Sequence, residues 1–265
     1  MKMYLLILLS TSVFLACFSP KSEQKQKKQI TKQQTTEETI GSIALPQGFV
    51  RVPVKKYSFA EYLRNLKLKK DKTVYDFEGN VVMTPENGYQ YAVIDIDVGN
   101  RDLQQCADAV IRLRAEYLYS LKKYEQIHFN FYDGKARYYT DYAGKDHSYI
   151  KFRKYMDYIF TYANTHTLRH EMKKANISDM QIGEVFIQEG VPFGHAVIVV
   201  DMAENPTTKE KIFMVAQSFM PAQSIHILKK YEDESPWFST DFGKELVLPG
   251  WTFTTDNLYR FKTNF

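Results

Sequence analysis

Residues 183–218 read GEVFIQEGVPFGHAVIVVDMAENPTTKEKIFMVAQS and contain three apolar runs in close succession. The runs are rich in β-branched and aromatic residues, which favours β-strands. They cover residues 183–188, 195–200 and 212–218. A polar stretch around Pro206 separates the second run from the third, and turn residues of this kind join antiparallel strands. The sequence therefore predicts an antiparallel sheet with a hairpin centred on Pro206.

The register of this hairpin decides which side chains meet. Pairing that is symmetric about Pro206 places Val200 opposite Ile212 and His195 opposite Gln217. Directly opposed residues of an antiparallel pair point to the same face, with Cβ atoms about 5 Å apart. We therefore expect the amide of Gln217 to hold the imidazole of His195, an arrangement that a slip of one residue would break.

Helices and strands alternate through the rest of the chain. Helices are predicted at residues 58–66, 103–122, 147 or 148–162, and 167–174. Further strands are predicted at residues 49–54, 91–98, 127–132 and 224–228. A capping box opens the first helix at Ser58, and Asp102 is the expected cap of the second. Residues 135–150 are expected to be irregular, and residues 236–265 to wrap the surface or add an edge strand. This order indicates the α+β class.

Composition excludes several classes of protein. The chain has 265 residues, of which 44% are hydrophobic and 25% charged, so it is not a disordered polymer. Its 35 basic and 31 acidic residues give a net charge of +4, which is too balanced to indicate nucleic-acid binding. With two cysteines the chain cannot be a disulfide scaffold.

The N-terminus is predicted to be a targeting segment. Residues 1–16 have a short basic start and an apolar core that is too short to span a membrane as a helix. The sequence Phe14-Leu15-Ala16-Cys17 resembles a bacterial lipobox, which implies cleavage before Cys17, lipidation of its sulfur and anchoring to membrane lipid in the cell envelope, outside the cytoplasm. The alternative is an ordinary signal peptide with an incidental cysteine.

A polar segment follows the targeting segment. Residues 17–44 are rich in Lys, Gln, Thr and Glu and are predicted to form a flexible tether. From Leu45 the composition is that of a folded chain, and no second low-complexity linker appears. We therefore predict a single α+β domain at residues 45–265.

Cys106 is the candidate nucleophile. It is expected in the first turn of the 103–122 helix, where unpaired N–H groups and the helix dipole lower the pKa of a thiol. A thiolate nucleophile needs a base and an orienting group, and His195 and Gln217 follow in the chain. As the first residue of its predicted strand and the neighbour of a glycine, His195 is expected to be half-exposed. The alternative is a core cysteine, because Cys106 shares an apolar stripe with Val110 and Leu113.

The order Cys, His, amide is that of papain-like hydrolases. In this interpretation the candidate oxyanion donors are the main-chain N–H of Cys106 and the side chain of Gln104 or Gln105. Arg114 is a candidate ligand for a substrate carboxylate. His226, which alternates within a predicted strand, is the rival to Gln217 as the third residue.

Two resemblances support this interpretation. Met180–Ile187 followed by Gly194–Val199 resembles the strand–loop–strand pattern of NlpC-type and CHAP-type cysteine amidases. That resemblance implies a papain-like fold in which the helix that carries the cysteine packs on an antiparallel sheet. Residues 45–265 also resemble a bacterial lipoprotein family with a domain of unknown function, through Ala92–Leu118, Gly183–Met202 and Ala216–Leu228.

The sequence indicates no cofactor and no metal. Asp95, Asp97 and Asp102 supply too few oxygen ligands for Ca²⁺, and His166 with His170 lacks a third zinc ligand. The tyrosines of residues 132–149 are expected to place at least one ring in a cleft.

The sequence is compatible with two functions. The first is a lipid-anchored cysteine amidase or endopeptidase acting on the peptide part of cell-wall peptidoglycan. The second is a non-catalytic lipoprotein of the same fold that binds peptide or glycan.

Overall fold

The computed structural model of the protein describes residues 38–190 and 193–263. The predicted signal peptide, Cys17 and most of the predicted tether lie outside the described residues. The strands are β1 Val50–Arg51, β2 Val74–Tyr75, β3 Val81–Met83, β4 Gln90–Val93, β5 His128–Asn130, β6 Ala136–Tyr138, β7 Met172–Lys174, β8 Val185–Gln188, β9 His195–Glu204, β10 Lys211–Gln217, β11 His226–Leu228, β12 Phe238–Ser239, β13 Glu245–Leu248, β14 Trp251–Thr254 and β15 Leu258–Phe261. The α-helices are α1 Phe59–Arg64, α2 Cys106–Ser120, α3 Tyr139–Ala143, α4 Tyr149–Tyr162 and α5 Thr165–His170.

One large sheet organises the molecule. Its strand order is β4-β11-β10-β9-β8-β15-β7, with β1 also paired to β9 and β12 to β10. Every strand pair in the described part of the chain is antiparallel. The protein is therefore α+β with an antiparallel sheet, as the order of elements predicts.

Apolar side chains on the two faces of this sheet form two cores. Ala196, Ile198 and Val200 of β9 pack in a core that includes apolar residues of α1, α2 and α4. Val197 and Val199 point the other way and pack in a core that includes residues of the β13–β14 hairpin. The alternation follows from the two-residue period of a strand. Strand β9 thus lies between a helical layer and a β-hairpin layer.

The β9–β10 hairpin forms as predicted, but its predicted register is wrong. Ile212 pairs with Ala203 instead of Val200, which is a shift of three residues. A bulge between Met214 and Val215 then reduces the shift to two residues, so that Ala216 pairs with Ile198. The net shift of two near Gln217 preserves the face to which its side chain points.

Helix α2 begins at Cys106, later than predicted. Gln105 is the N-cap, and its main-chain N–H donates to Asp108 Oδ2 at 3.1 Å, as in a capping box. Asp102 is not the cap, because its Oδ1 accepts from Ala222 N at 2.7 Å and from Gln105 Nε2 at 3.0 Å. Cys106 is therefore the first residue of the helix.

Several predicted boundaries differ from the structure. The strand predicted at 91–98 ends at Val93, and the segment 135–150 contains β6, α3 and the start of α4 rather than irregular chain. The packed domain begins before residue 45, since Ile40 is fully buried. The C-terminal segment adds β15 inside the sheet, between β8 and β7, rather than at an edge.

No helix within residues 38–190 and 193–263 is long and apolar enough to cross a membrane.

Candidate functional site

A cavity of about 710 Å³ opens at the N-terminus of α2. The start of this helix forms one wall through Gln105, Cys106 and Asp108. The opposite wall and the rim come from other elements: Tyr132, Asn164, His166, Glu189, Phe193 and Met220. Tyr132 confirms that a tyrosine of the 132–149 segment lines a cleft. The cavity places Cys106 where an external molecule can reach it.

Cys106 lies in this wall with little exposure. Its side chain is 9% exposed, and Sγ lies 3.9 Å from the carbonyl oxygen of Gly194. Gly194 leaves no room for a larger residue, because an added Cβ would lie 2.4 Å from the carbonyl oxygen of Gln188. The thiol therefore rests against the main chain that immediately precedes His195.

The pKa of the Cys106 thiol is raised, whereas a position at a helix N-terminus predicts a lowered pKa. Burial raises this pKa to about 11, and the negative charge of Asp108 also raises it, whereas nearby main-chain N–H groups lower it. The thiol is consequently protonated at neutral pH in the unliganded protein, and the predicted lowering is wrong.

The structure confirms the predicted contact between His195 and Gln217. The distance between His195 Nε2 and Gln217 Oε1 is 2.8 Å, and both side chains are buried. The contact survives the register shift because Gln217 stays on the face of His195.

Aromatic rings cover the imidazole. Ring centroids of Phe219, Trp251 and Phe253 lie 4.9, 5.1 and 6.0 Å from that of His195. The ring is only 1% exposed, which contradicts the half-exposed position expected at a strand end. Burial lowers the pKa of His195 to about 4, so the ring is neutral at pH 7.

Cys106 and His195 lie on opposite faces of the sheet at the start of β9, and among the described residues no hydrogen bond joins the thiol to the imidazole. The thiol belongs to α2 in the helical layer, whereas the imidazole packs against Trp251 and Phe253 of the hairpin layer. The main chain at Gly194 connects the two positions. Both groups are neutral, so the resting site holds a thiol and an imidazole rather than an ion pair.

The two candidate oxyanion donors have different surroundings. Gln105 lines the cavity, and Asp102 accepts from its Nε2. Gln104 is fully buried, and its Oε1 accepts from Arg112 at 2.9 Å. The Gln104 side chain does not line the cavity, so the structure leaves Gln105 and the main-chain N–H of Cys106 as the candidates.

Asp108 is a site residue that the sequence reasoning missed. Its Oδ2 accepts from Gln105 N, while Oδ1 is buried without a hydrogen-bond partner among the described residues. Burial raises its pKa well above the ordinary value of an aspartate. The sequence carried no signal for it, because a capping box ordinarily begins with Ser or Thr and has Glu or Gln three residues later.

Arg114 does not lie at the cavity. Its guanidinium donates to the carbonyl oxygen of Thr263 at 2.5 Å and lies over the rings of Phe59 and Phe261. These contacts hold the C-terminal segment against α2. The predicted substrate contact at Arg114 is therefore wrong for this cavity.

His226 extends the His195–Gln217 pair rather than replacing Gln217. Its Nε2 lies 3.4 Å from Gln217 Nε2, and its Nδ1 lies 2.9 Å from the carbonyl oxygen of Ser224. The side chains of His195, Gln217, Ser224 and His226 are all buried. We call the series His195–Gln217–His226–Ser224 the buried row.

The acidic and histidine groups weighed as metal ligands have other partners. Asp97 pairs with Arg112 and Arg153, and the rings of His166 and His170 contact each other through Nε2 atoms 3.3 Å apart. Among the residues that the structure describes, no group of three or more His, Cys, Asp or Glu is arranged to hold a metal ion.

Comparison with protein families places this site in a shared domain. The family model described as "Domain of unknown function (4846)" matches residues 40–260, which is most of the chain. The chain belongs to this family. The match of family 4846 includes Cys106, His195 and Gln217, so the candidate site lies inside the family's domain. No curated protein and no solved structure matches the chain.

Proposed function

We propose that the protein is a cysteine hydrolase of amide bonds with a papain-like arrangement of its site. The observation that carries this proposal is the placement of Cys106, which begins a helix at a cavity and rests against the main chain beside the hydrogen-bonded pair His195–Gln217. Nucleophile, base and orienting amide follow in the chain order of papain-like hydrolases, to which the sequence also shows a resemblance.

The proposed reaction starts from neutral groups. The imidazole of His195 must first turn from the hairpin layer towards the thiol. Cys106 Sγ then attacks the carbonyl carbon of an amide while its proton passes to His195, and the carbonyl electrons move to the oxygen. The Cys106 N–H and the Gln105 amide stabilise that oxyanion. Collapse breaks the C–N bond, and the imidazolium returns the proton to the leaving amine. Water then hydrolyses the thioester, with His195 again as the base.

The location proposed for the chain suggests the substrate class. We propose that Cys17 carries the lipid anchor and that the domain acts in the cell envelope. Amide bonds of peptidoglycan peptides are the substrate that fits that location. The aromatic rim of Tyr132 and Phe193, 68% and 58% exposed, offers surfaces on which peptide planes or sugars stack.

A second candidate is a non-catalytic binding domain. The pKa of about 11 for the thiol and of about 4 for the imidazole favours it, because neither group is charged in the resting site. In this alternative the cavity binds peptide or glycan, and Cys106 is a wall residue.

The experiment is the digestion of purified peptidoglycan peptides by the full chain. Mass spectrometry measures the amount of cleaved products that carry a new amino group. The hydrolase proposal expects release by the wild type and loss of release in Cys106→Ala and His195→Ala. Ser120→Ala, at the other end of α2, is the matched control and should retain the wild-type rate. Because the Cys106 side chain is small, Cys106→Ala is expected to cost about 1 kcal/mol in stability, and thermal unfolding checks this.

Equal yields from the wild type and Cys106→Ala would reject the hydrolase. If both proteins then bind the same peptides with equal affinity, the binding domain is supported.

A further inference from the structure

The buried row contains one group whose hydrogen-bonding role is fixed by chemistry. The carbonyl oxygen of Ser224 can only accept, and His226 Nδ1 lies 2.9 Å from it. His226 Nδ1 must therefore carry a proton. The ring is fully buried, without a carboxylate among its hydrogen-bond partners, and burial lowers its pKa to about 4. A neutral imidazole holds one proton, so His226 Nε2 is an acceptor.

The orientation of the Gln217 amide follows from that acceptor. Gln217 lies between two imidazoles, with one end 2.8 Å from His195 and the other 3.4 Å from His226. Its NH₂ group must face His226 Nε2, because an oxygen there would meet a lone pair. The Gln217 oxygen then faces His195 Nε2, which must donate to it.

We propose that His226 is a positioning residue that sets the tautomer of His195 through Gln217. Each hydrogen bond of the buried row fixes the direction of the next, from the Ser224 carbonyl to His195. The result places the proton of His195 on Nε2 and leaves Nδ1 with the free lone pair. This inference rests on the proposed function, in which His195 is the base.

The alternative amide orientation fails at the His226 end of Gln217. Turning the amide over would bring its oxygen to His226 Nε2, where two acceptors would meet in a site without solvent exposure. It would also make His195 Nε2 the acceptor and move the proton to Nδ1, so the ring could no longer take a proton there. A buried polar group without a partner is costly, so the row has one consistent arrangement.

The test is nitrogen NMR of the full chain with ¹⁵N-labelled histidine rings. In the wild type, we expect the signals of a protonated Nε2 and an unprotonated Nδ1 for His195, and the reverse pattern for His226. Signals are assigned by the loss of one ring in each of His195→Ala and His226→Leu. A wild-type His195 with its proton on Nδ1 would overturn the proposal.

Two variants test whether His226 exerts this control. In His226→Leu the acceptor is gone, and we expect His195 to change from one tautomer to a mixture. His226→Gln retains an oxygen that can accept from Gln217, and it should restore the single tautomer. His128→Phe, a change of imidazole outside the buried row, is the control and should leave His195 unchanged. An unaltered His195 tautomer in His226→Leu contradicts the proposal.

The tautomer measurement tests the role of His226, and the digestion measurement tests the hydrolase. Either proposal can therefore be rejected without the other. If the rings show the expected protonation but Cys106→Ala digests like the wild type, the hydrolase is rejected and the row's control of His195 stands. If digestion requires Cys106 but His195 carries its proton on Nδ1, the role of His226 is rejected and the hydrolase stands.

Discussion

At the scale of single residues, Cys106 shows a competition between two electrostatic effects. A helix N-terminus stabilises a nearby negative charge by about 0.3 to 1 kcal/mol, which is less than one pKa unit. Removing a charged group from water shifts a pKa by up to several units. Cys106 is 9% exposed and its thiol pKa rises to about 11. Burial therefore outweighs the helix terminus at this position.

The carboxyl group of Asp108 provides a test of this competition. We expect Asp108→Asn to lower the pKa of the Cys106 thiol, because the substitution removes a negative charge that disfavours the thiolate. The measurement is the rate of iodoacetamide alkylation against pH, followed on the peptide that contains Cys106. Asp157→Asn, on α4, should behave like the wild type. A pKa that stays unchanged or rises in Asp108→Asn would contradict the role assigned to this carboxylate.

At the scale of elements, Asp201 joins β9 to two neighbours. Its buried carboxylate accepts from Arg51 of β1 at 2.7 Å and from Arg64 of α1 at 2.8 Å. Asp201 also lies at the bulge of the β9–β10 hairpin, paired with Met214. Its charge therefore holds a strand and a helix against the distorted part of the sheet.

We expect Asp201→Ala to lower the free energy of unfolding by about 3 kcal/mol, because two arginines lose the carboxylate that compensates their burial. Urea unfolding measures this value. Asp256→Ala, whose carboxylate is 90% exposed, should change stability by less than about 0.5 kcal/mol. A loss at Asp201 as small as that at Asp256 would show that the network does not stabilise the fold.

The β9–β10 hairpin shows which features of the fold the sequence pattern predicts and which it does not. Apolar runs and the polar stretch around Pro206 predicted the strands and the turn, and the contact of His195 with Gln217 was correct. The bulge at Met214 and Val215 was not predictable from the local pattern, because Asp201 beside it is bound by Arg51 and Arg64, which are distant in the chain. A register argument based on local symmetry survives only when the error is an even number of residues.

The aromatic rings that cover His195 could also not be predicted from local sequence patterns. Trp251 and Phe253 lie more than fifty residues after His195, and no periodicity connects them. Without that cover, the sequence predicted a half-exposed imidazole and a thiolate, and both were wrong. The cap at Gln105 illustrates a milder error, because Asp is preferred to Gln at an N-cap, but Asp102 accepts from Ala222 N instead.

At the scale of the whole molecule, the buried row links stability to pH. His226 has a pKa of about 4 in the folded protein and about 6.5 when unfolded. The unfolded chain therefore binds the proton more tightly, and stability falls as pH decreases from about 6.5 to about 4. Over that window the wild type should lose about 3 kcal/mol more than His226→Leu.

Urea unfolding at pH 7 and at pH 4 measures this difference. Glu184, whose pKa burial raises to about 7, acts in the opposite direction and loses its contribution as pH rises. It is present in both proteins, so its effect cancels in the comparison. Equal losses in the wild type and His226→Leu would show that His226 is not neutral in the folded state.

The position of β15 has a consequence for biosynthesis. This strand lies between β8 and β7, although both are made more than sixty residues earlier. While the ribosome is still translating, β8 and β7 lack their shared neighbour, and the sheet that carries His195 stays unfinished. Native closure of the sheet is thus postponed until Phe261 has left the ribosome.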